Sequence, residues 1–231
     1  MLQFDFEPLR QLVHGMPALA RHIRETEPRR DLVREGESPR TMLLILEGWA
    51  SCYKQQRDGR RQITSFLLPG DFADAGLILG ETDHSIGAVN RVRYAEIDEE
   101  DLEALAGDPY ELARAAWRHA LVAAAINREW IVNIGRRTAY QRIAHLLCEL
   151  VTRLRAAGLF EGGSCDWPPT QDDLADATGL TSVHVNRTLQ LLRREGLIDL
   201  QRRRLIVPDL AALMRVGLFT SNYLHLERDP L

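Results

Sequence analysis

The sequence predicts an α+β chain: a rolled sheet of short strands, then one long helix, then a compact helical domain ending in a small hairpin. Three observations carry this. Gly36, Gly48, Gly59 and Gly70 recur every eleven or twelve residues among alternating apolar and polar positions. Residues 109–137 hold a single apolar stripe at helical spacing. Residues 170–207 read as two short helices, a tight turn and a hairpin.

Residues 6–24 place Leu9, Leu12, Val13, Met16, Leu19 and Ile23 at helical intervals. Gly15 and Pro17 interrupt them, so one broken or two short helices are expected there. From Asp31 the period changes to two. Leu32 and Val33, then residues 42–46, 49–53, 63–68 and 86–97, are expected strands. Glu47-Gly48, Asp58-Gly59 and Pro69-Gly70-Asp71 are their turn signals. Short strands at this spacing suggest an antiparallel sandwich or rolled sheet, in a domain set at residues 1–107.

In the next segment, residues 108–137, Leu112, Ala116, His119, Ala123, Ile126, Trp130 and Asn133 alternate steps of four and three. That is a heptad-like seam. Ala115, Ala116, Ala120 and Ala123–Ala125 would let two backbones approach closely. Such a stripe packs either on its own sheet or on a second copy. Arg136-Arg137-Thr138 reads as a hinge opening the last domain, residues 138–231. Residues 138–157 form a helix with Ile143, Leu146, Leu147, Leu150 and Leu154 inward. Gly158, Gly162 and Gly163 mark a loop, and Trp167-Pro168-Pro169 hold the chain extended.

Thr170 is an N-cap candidate for a helix that turns Leu174 and Ala175 inward. Gly179 ends it where the chain must turn sharply. Thr181 caps a second helix whose Val185, Leu189 and Leu192 face the core. Ala175 and Gly179 are small where the two helices cross. Ser182, Val183, Asn186 and Arg187 lie on the outer face near the second helix's N-terminus, the end that enters a major groove, and are the expected base contacts. Arg187 suits guanine, and the methyls of Val183 suit a thymine methyl. Residues 200–207 form a hairpin around Gln201-Arg202-Arg203-Arg204, a basic tip suited to phosphates. Thr170, Thr181, His184 and Arg203 are the phosphate candidates. An ordinary helical hairpin with solvated arginines is the competing reading, and the basic tip decides for DNA. Residues 208–226 carry another apolar period, a tail expected to pack on this domain.

The 231 residues are 45% hydrophobic and 27% charged, the composition of a soluble globular protein. No apolar run approaches a membrane span, and the acidic first residues do not resemble a signal peptide, so a cytoplasmic protein is expected. Cys52, Cys148 and Cys165 offer neither metal-ligand spacing nor a disulfide framework, and no metal is expected. The net charge of −4 hides an asymmetry. Split at Gly135, the first part is roughly −6 and the rest about +2, and DNA binding needs local positive charge rather than a basic total. No enzyme signature is present. Asp83-His84-Ser85 is similar to a catalytic trio only in name, since neighbours on a strand point to opposite faces.

Glu35-Gly36-Glu37, Ile45-Leu46-Glu47-Gly48, Pro69-Gly70-Asp71-Phe72, Gln141-Arg142-Ile143-Ala144 and residues 170–198 together resemble the Crp/Fnr family of bacterial transcription regulators, over residues 30–207. The resemblance implies a cyclic-nucleotide-binding-like β-roll, a dimerisation helix and a winged helix-turn-helix. It further implies a homodimer that binds palindromic double-stranded DNA through a recognition helix at 182–194 and acts on RNA polymerase. Leu112, Ala116, His119, Ala123, Ile126 and Trp130 would then form the dimer seam. The family's cyclic-nucleotide pocket falls at Asp74, His84, Ser85, Asn127 and Arg128, where this chain departs from the pattern. Ala73-Asp74-Ala75 follows Gly-Asp-Phe in place of the Gly-Glu pair, His84-Ser85 replaces Arg-Ser, and Asn127-Arg128 replaces Thr-Ser. Losing the arginine and adding Asp74 repels an anionic phosphate, so no cofactor is predicted and cyclic AMP is not expected. The family's iron–sulfur sensors use N-terminal cysteines, and none precedes Cys52. Haem on His84 or His119 is the remaining cofactor reading, as a gas sensor. A ligand-binding module regulating a protein partner is the other alternative, and a DNA-binding regulator with an empty roll is a third.

Overall fold

The computed structural model describes residues 23–75, 80–101 and 108–226. The chain divides into two compact units, Met1–Leu121 and Val122–Leu231, with the boundary inside the long helix.

Among its described residues the first unit contains eight strands: β1 (Ile23–Thr26), β2 (Asp31–Val33), β3 (Thr41–Glu47), β4 (Ala50–Gln55), β5 (Arg61–Leu67), β6 (Phe72–Ala75), β7 (Ser85–Ala88) and β8 (Val92–Ile97). They form two antiparallel four-stranded sheets, ordered β1-β8-β3-β6 and β2-β7-β4-β5. Alternation along β3 sends Leu43 and Ile45 into a shared core with Cys52, Ile86, Val92 and Tyr94. Leu44 points the other way and packs with Ala95 and Ile97. The run expected as one strand over 86–97 is broken, because Asn90 turns back and its Oδ1 accepts the Trp49 N–H at 2.7 Å. The helical expectation for residues 6–24 falls outside the described residues up to His22, and its last two residues, Ile23 and Arg24, belong to β1 instead. β1 is held by antiparallel pairing with β8, Ile23 opposite Ala95 and Thr26 opposite Val92, partners 72 and 66 positions apart in the chain.

The glycine punctuation has a steric cause at Gly48. Its φ is +77°, and a Cβ built there would lie 2.1 Å from the Arg91 carbonyl oxygen. Both the backbone region and the close approach exclude a side chain. Gly48→Ala is expected to cost more than about 1 kcal/mol, read as a lowered urea midpoint. An unchanged midpoint would refute this account of the β3–β4 turn.

The second unit is built on α1 (Pro109–Arg136), which enters it from the first, and on α2 (Ala139–Ala156), α3 (Gln171–Thr178), α4 (Ser182–Arg194) and α5 (Leu210–Gly217). A short 3-10 turn follows at Asn222–Leu224. Strands β9 (Ser164–Asp166), β10 (Asp199–Gln201) and β11 (Arg204–Ile206) form a sheet ordered β10-β11-β9. β9 was not expected; its three residues gain strand character only by pairing with β11. Ile143, Leu146, Leu147, Leu150 and Leu154 are all buried on α2, as its period predicts.

One expectation needs correction. Trp130 does not lie on an outward seam of α1. It is 6% exposed, and its indole N–H donates to the Glu149 carboxylate at 3.0 and 3.1 Å. A buried carboxylate needs donors, and Trp130 supplies one that a purely apolar residue would not. Of the other seam positions, Ala116 and His119 are exposed, Ala123 and Ile126 are half-buried, and the Leu112 side chain lies outside the described set. The large apolar side chains that α1 leaves exposed are Tyr110, Trp117, Leu121, Ile131, Val132 and Ile134.

Around Glu149 lies a polar cluster buried inside the second unit. Tyr223, from the tail, donates to Glu149 at 2.8 Å, and Arg153 stands 3.8 Å away. His145 donates from Nδ1 to the Gly217 carbonyl at 3.1 Å, while its Nε2 lies 3.2 Å from the Tyr223 hydroxyl. The tail therefore belongs to the core of its unit. Burial first, and then the Arg137 charge, hold the His145 imidazole down from 6.5 to about 4. The neutral ring is thus the folded form. Above pH 6.5 both states are neutral and its contribution is complete. As pH falls from 6.5 toward 4 only the unfolded chain gains the proton, and stability on the order of 3 kcal/mol is lost. The stability gap between the parent and His145→Gln should therefore narrow on acidification in urea titrations; a gap independent of pH would refute it.

Candidate nucleic-acid interface

The helix-turn-helix is assembled from caps. Thr170 starts α3 with a capping box: its Oγ1 accepts the Asp173 N–H at 3.2 Å, and the Asp173 carboxylate accepts the Thr170 N–H at 2.8 Å. The Thr170 hydroxyl proton is committed to Asp173 as well, at 2.7 Å. Gly179 closes α3 in the left-handed region at φ +65°, where glycine is the unstrained choice. Thr181 caps α4 by accepting the His184 N–H at 3.2 Å. The bounds of α4, Ser182–Arg194, coincide with the expected recognition helix.

Arg142 binds this motif to its support. Its guanidinium donates to the carbonyls of Thr178 and Ile134, each at 2.7 Å, and of Arg137 at 3.2 Å. These are carbonyls at or beside the C-terminal ends of α3 and α1, which have no partner within their own helices. Tyr140 bonds the Glu195 carboxylate, joining the start of α2 to the end of α4, and burial followed by that carboxylate pushes the phenol up to about 12. Sequence reading missed both roles, although Arg142 stood inside the quoted Gln-Arg-Ile-Ala motif.

Val185, Thr188, Leu189 and Leu192 bury one face of α4. The opposite face is open. Val183 is 65% exposed, and His184, Asn186 and Arg187 are exposed with it. Thr138, Ala139 and Tyr140 face Val183, His184, Arg187 and Leu191 across an open groove of about 520 Å³. Arg187 makes no side-chain hydrogen bond or ion pair with any described residue. Ser182 donates its hydroxyl proton to Asp172, and Asn186 donates from Nδ2 to the Gln171 Oε1 at 3.1 Å.

The wing is the hairpin of β10 and β11, which pairs Gln201 with Arg204 and leaves Arg202 and Arg203 as a two-residue turn. Both turn residues sit at positive φ, +48° and +62°. Two-residue hairpins require that backbone and ordinarily use Asn-Gly for it. Arginine in this region is strained. Arg203 also anchors the turn, its carbonyl accepting the Trp167 N–H at 2.8 Å. The Arg202 and Arg203 side chains bond no described residue, whereas Arg204 donates to Ser164 at 2.7 Å and Arg193 to the Leu200 carbonyl.

The expected effector positions fall in both units. In the first, Ser85 is buried, and its hydroxyl accepts the Glu35 N–H at 3.0 Å, tying two strand ends together. His84 Nδ1 lies 2.8 Å from the Asp83 carboxylate. Its hydrogen bond with Cys52, and then Asp83, raise the imidazole to about 9 against the opposing effect of burial. The Asp74 side chain lies outside the described set. In the second unit, Asn127 and Arg128 are exposed on α1. Among the described residues no group of three His, Cys, Asp or Glu side chains is placed to hold a metal ion. No helix among them is long and apolar enough to cross a membrane.

Comparison with known proteins agrees with this architecture. Residues 23–108 match the model of the cyclic nucleotide-binding domain, and residues 141–216 that of the Crp-like helix-turn-helix domain. The chain is 33% identical to the nitrogen fixation regulation protein FixK of Azorhizobium caulinodans over 175 residues, 75% of this chain and 70% of that protein. It is 34% identical to the transcriptional activatory protein AadR of Rhodopseudomonas palustris over 196 residues, 83% of this chain and 76% of the other. The structure of FixK2 from Bradyrhizobium japonicum superposes with a TM-score of 0.75 at 26% identity, covering 84% of this chain and 96% of that one. With a capped recognition helix, a basic wing and these relatives, the chain belongs to the Crp/Fnr family and is a DNA-binding transcription regulator rather than an enzyme.

Proposed function

We propose that the chain binds a twofold-symmetric DNA site as a homodimer, in the cytoplasm, and acts on RNA polymerase from there. The carrying observation is the open face of α4 beside the wing. Val183, Asn186 and Arg187 stand together on one exposed surface, and Arg202 and Arg203 stand at the wing tip with no side-chain partner among the described residues. Base edges take the first group and phosphates the second. Thr181 and His184, at the start of α4, are further phosphate candidates. Tyr110, Trp117 and Leu121 follow one another on α1 at steps of seven and four, each more than half exposed, with Ile131 further along. An apolar row at this spacing supports pairing with a second copy. Two recognition helices would then meet half-sites about 34 Å apart. The name of one relative, the transcriptional activatory protein AadR, favours activation as the output.

For the roll we propose that cyclic AMP is not the effector. The residues supporting this are His84, held by Asp83 and Cys52, and Ser85, whose hydroxyl already serves the Glu35 backbone. Neither offers the paired donors of an arginine to a phosphate. Selection of bound duplexes from a random library, with sedimentation of the free and bound protein, tests the central reading. A palindromic consensus and a dimeric mass are expected. A monomer without preference among duplexes at moderate salt would overturn it.

A further inference from the structure

We infer that Gln171 and Asp172, in the first turn of α3, are positioning residues for DNA specificity: they set which atoms Asn186 and Ser182 turn toward the base pairs. The inference rests on the DNA reading proposed above and adds to it two residues from the helix that does not itself read sequence.

Asn186 carries two amide N–H donors and one acceptor oxygen. Its Nδ2 donates to the Gln171 Oε1 at 3.1 Å, which consumes one donor and fixes the amide plane. One N–H and the Oδ1 remain; where Gln171 takes the N–H trans to Oδ1, the free N–H shares the oxygen's edge, and no described residue bonds that oxygen. In the major groove, adenine shows the complementary pair, the N7 acceptor beside the N6 amino donor. An asparagine held in this way is ready for adenine before it meets DNA. Its cost of ordering is already met by a partner within the protein.

Ser182 is restricted in a different manner. A hydroxyl has a single proton, and here it goes to the Asp172 carboxylate. Only lone pairs are left to face outward, so Ser182 acts as an acceptor alone. It then accepts from the amino group of adenine or cytosine and discriminates against guanine O6 and thymine O4. Asp172 takes no part in the capping box, which Asp173 completes, and otherwise serves α3 only as an acid in its first turn. An exposed carboxylate beside a phosphate backbone weakens overall binding, which makes its effect on Ser182 the informative one.

Ser182 and Asn186 are one helical turn apart on α4, a rise of about 6 Å, which spans roughly two base pairs. The parent protein should therefore select adenine at one position of each half-site, and adenine or cytosine about two base pairs away. The test is selection from a randomised half-site library with the full chain and its variants, followed by anisotropy titration of single-base duplexes. Gln171→Ala should reduce the adenine preference about tenfold at that one position and leave the others unchanged. Gln171→Glu keeps an acceptor for the Asn186 amide, so it should retain the preference while weakening all duplexes. Gln171→Ala combined with Asn186→Ala should discriminate no worse than Asn186→Ala alone. Asp172→Ala should admit guanine or thymine at the second position. A Gln171→Ala selection profile identical to the parent's, or a loss equal for every sequence, would overturn the positioning role. If the parent itself enriches no sequence, the DNA reading fails first and this inference with it.

Discussion

Arg187→Ala is expected to lose about 1–3 kcal/mol of discrimination at a single base position, or about 2–6 kcal/mol when both half-sites of a symmetric complex are counted. The residue is exposed on α4, one turn beyond Val183, and no described side chain or carbonyl holds its guanidinium. A planar fork left free on a recognition helix is suited to the O6 and N7 of guanine. Arg187→Lys should recover part of the affinity and little of the specificity, since an ammonium cannot bond both atoms in the same plane. Anisotropy titrations against the selected duplex and its single-base variants check this. If Arg187→Ala weakens every duplex alike and lowers the salt dependence by about one phosphate contact per subunit, Arg187 holds the backbone and reads nothing.

Glu149→Ala is expected to destabilise the second unit by about 3–5 kcal/mol, followed by tryptophan fluorescence in urea. Glu149 is fully buried on α2 and accepts from Trp130 on α1 and Tyr223 in the tail. Truncation strands two donors in an apolar interior and leaves a void. Glu149→Gln preserves shape and an acceptor oxygen, so its cost should be much smaller. Burial raises the Glu149 carboxyl above its ordinary range. The folded chain therefore holds this proton more tightly than the unfolded one. Its contribution is largest at acid pH and declines as pH rises through the raised value, and Glu149→Gln should flatten that decline. An alanine variant as stable as the parent would refute the role given to this carboxylate.

The two predictions draw on parts of the molecule that were unequally visible in the sequence. The caps of α3 and α4 are local: Thr170, Gly179 and Thr181 act on backbone within four residues, so sequence alone places them. The Glu149 cluster is not local. It joins positions 19 and 74 residues apart, and nothing near Glu149 in the chain marks it as buried. Trp130 was misplaced for the same reason. An α-helix as rich in alanine as α1 admits more than one apolar seam, and the hidden partner of Trp130 decides between them. β1, β6 and β9 went unseen because strands of three or four residues depend on distant neighbours. At the candidate interface, the outward placement of Val183, Asn186 and Arg187, with Ser182 half-buried beside them, follows from helical geometry. Gln171 and Asp172 do not, because their influence passes through a second side chain.

The turn at Arg202 and Arg203 carries a consequence for anyone altering this protein. A search for greater thermal robustness would choose Asn-Gly there at once, since the left-handed backbone welcomes it. The hardened molecule would lose the two cations proposed to meet the duplex phosphates. On the proposed function resilience and grip compete at this corner, and the two arginines favour grip.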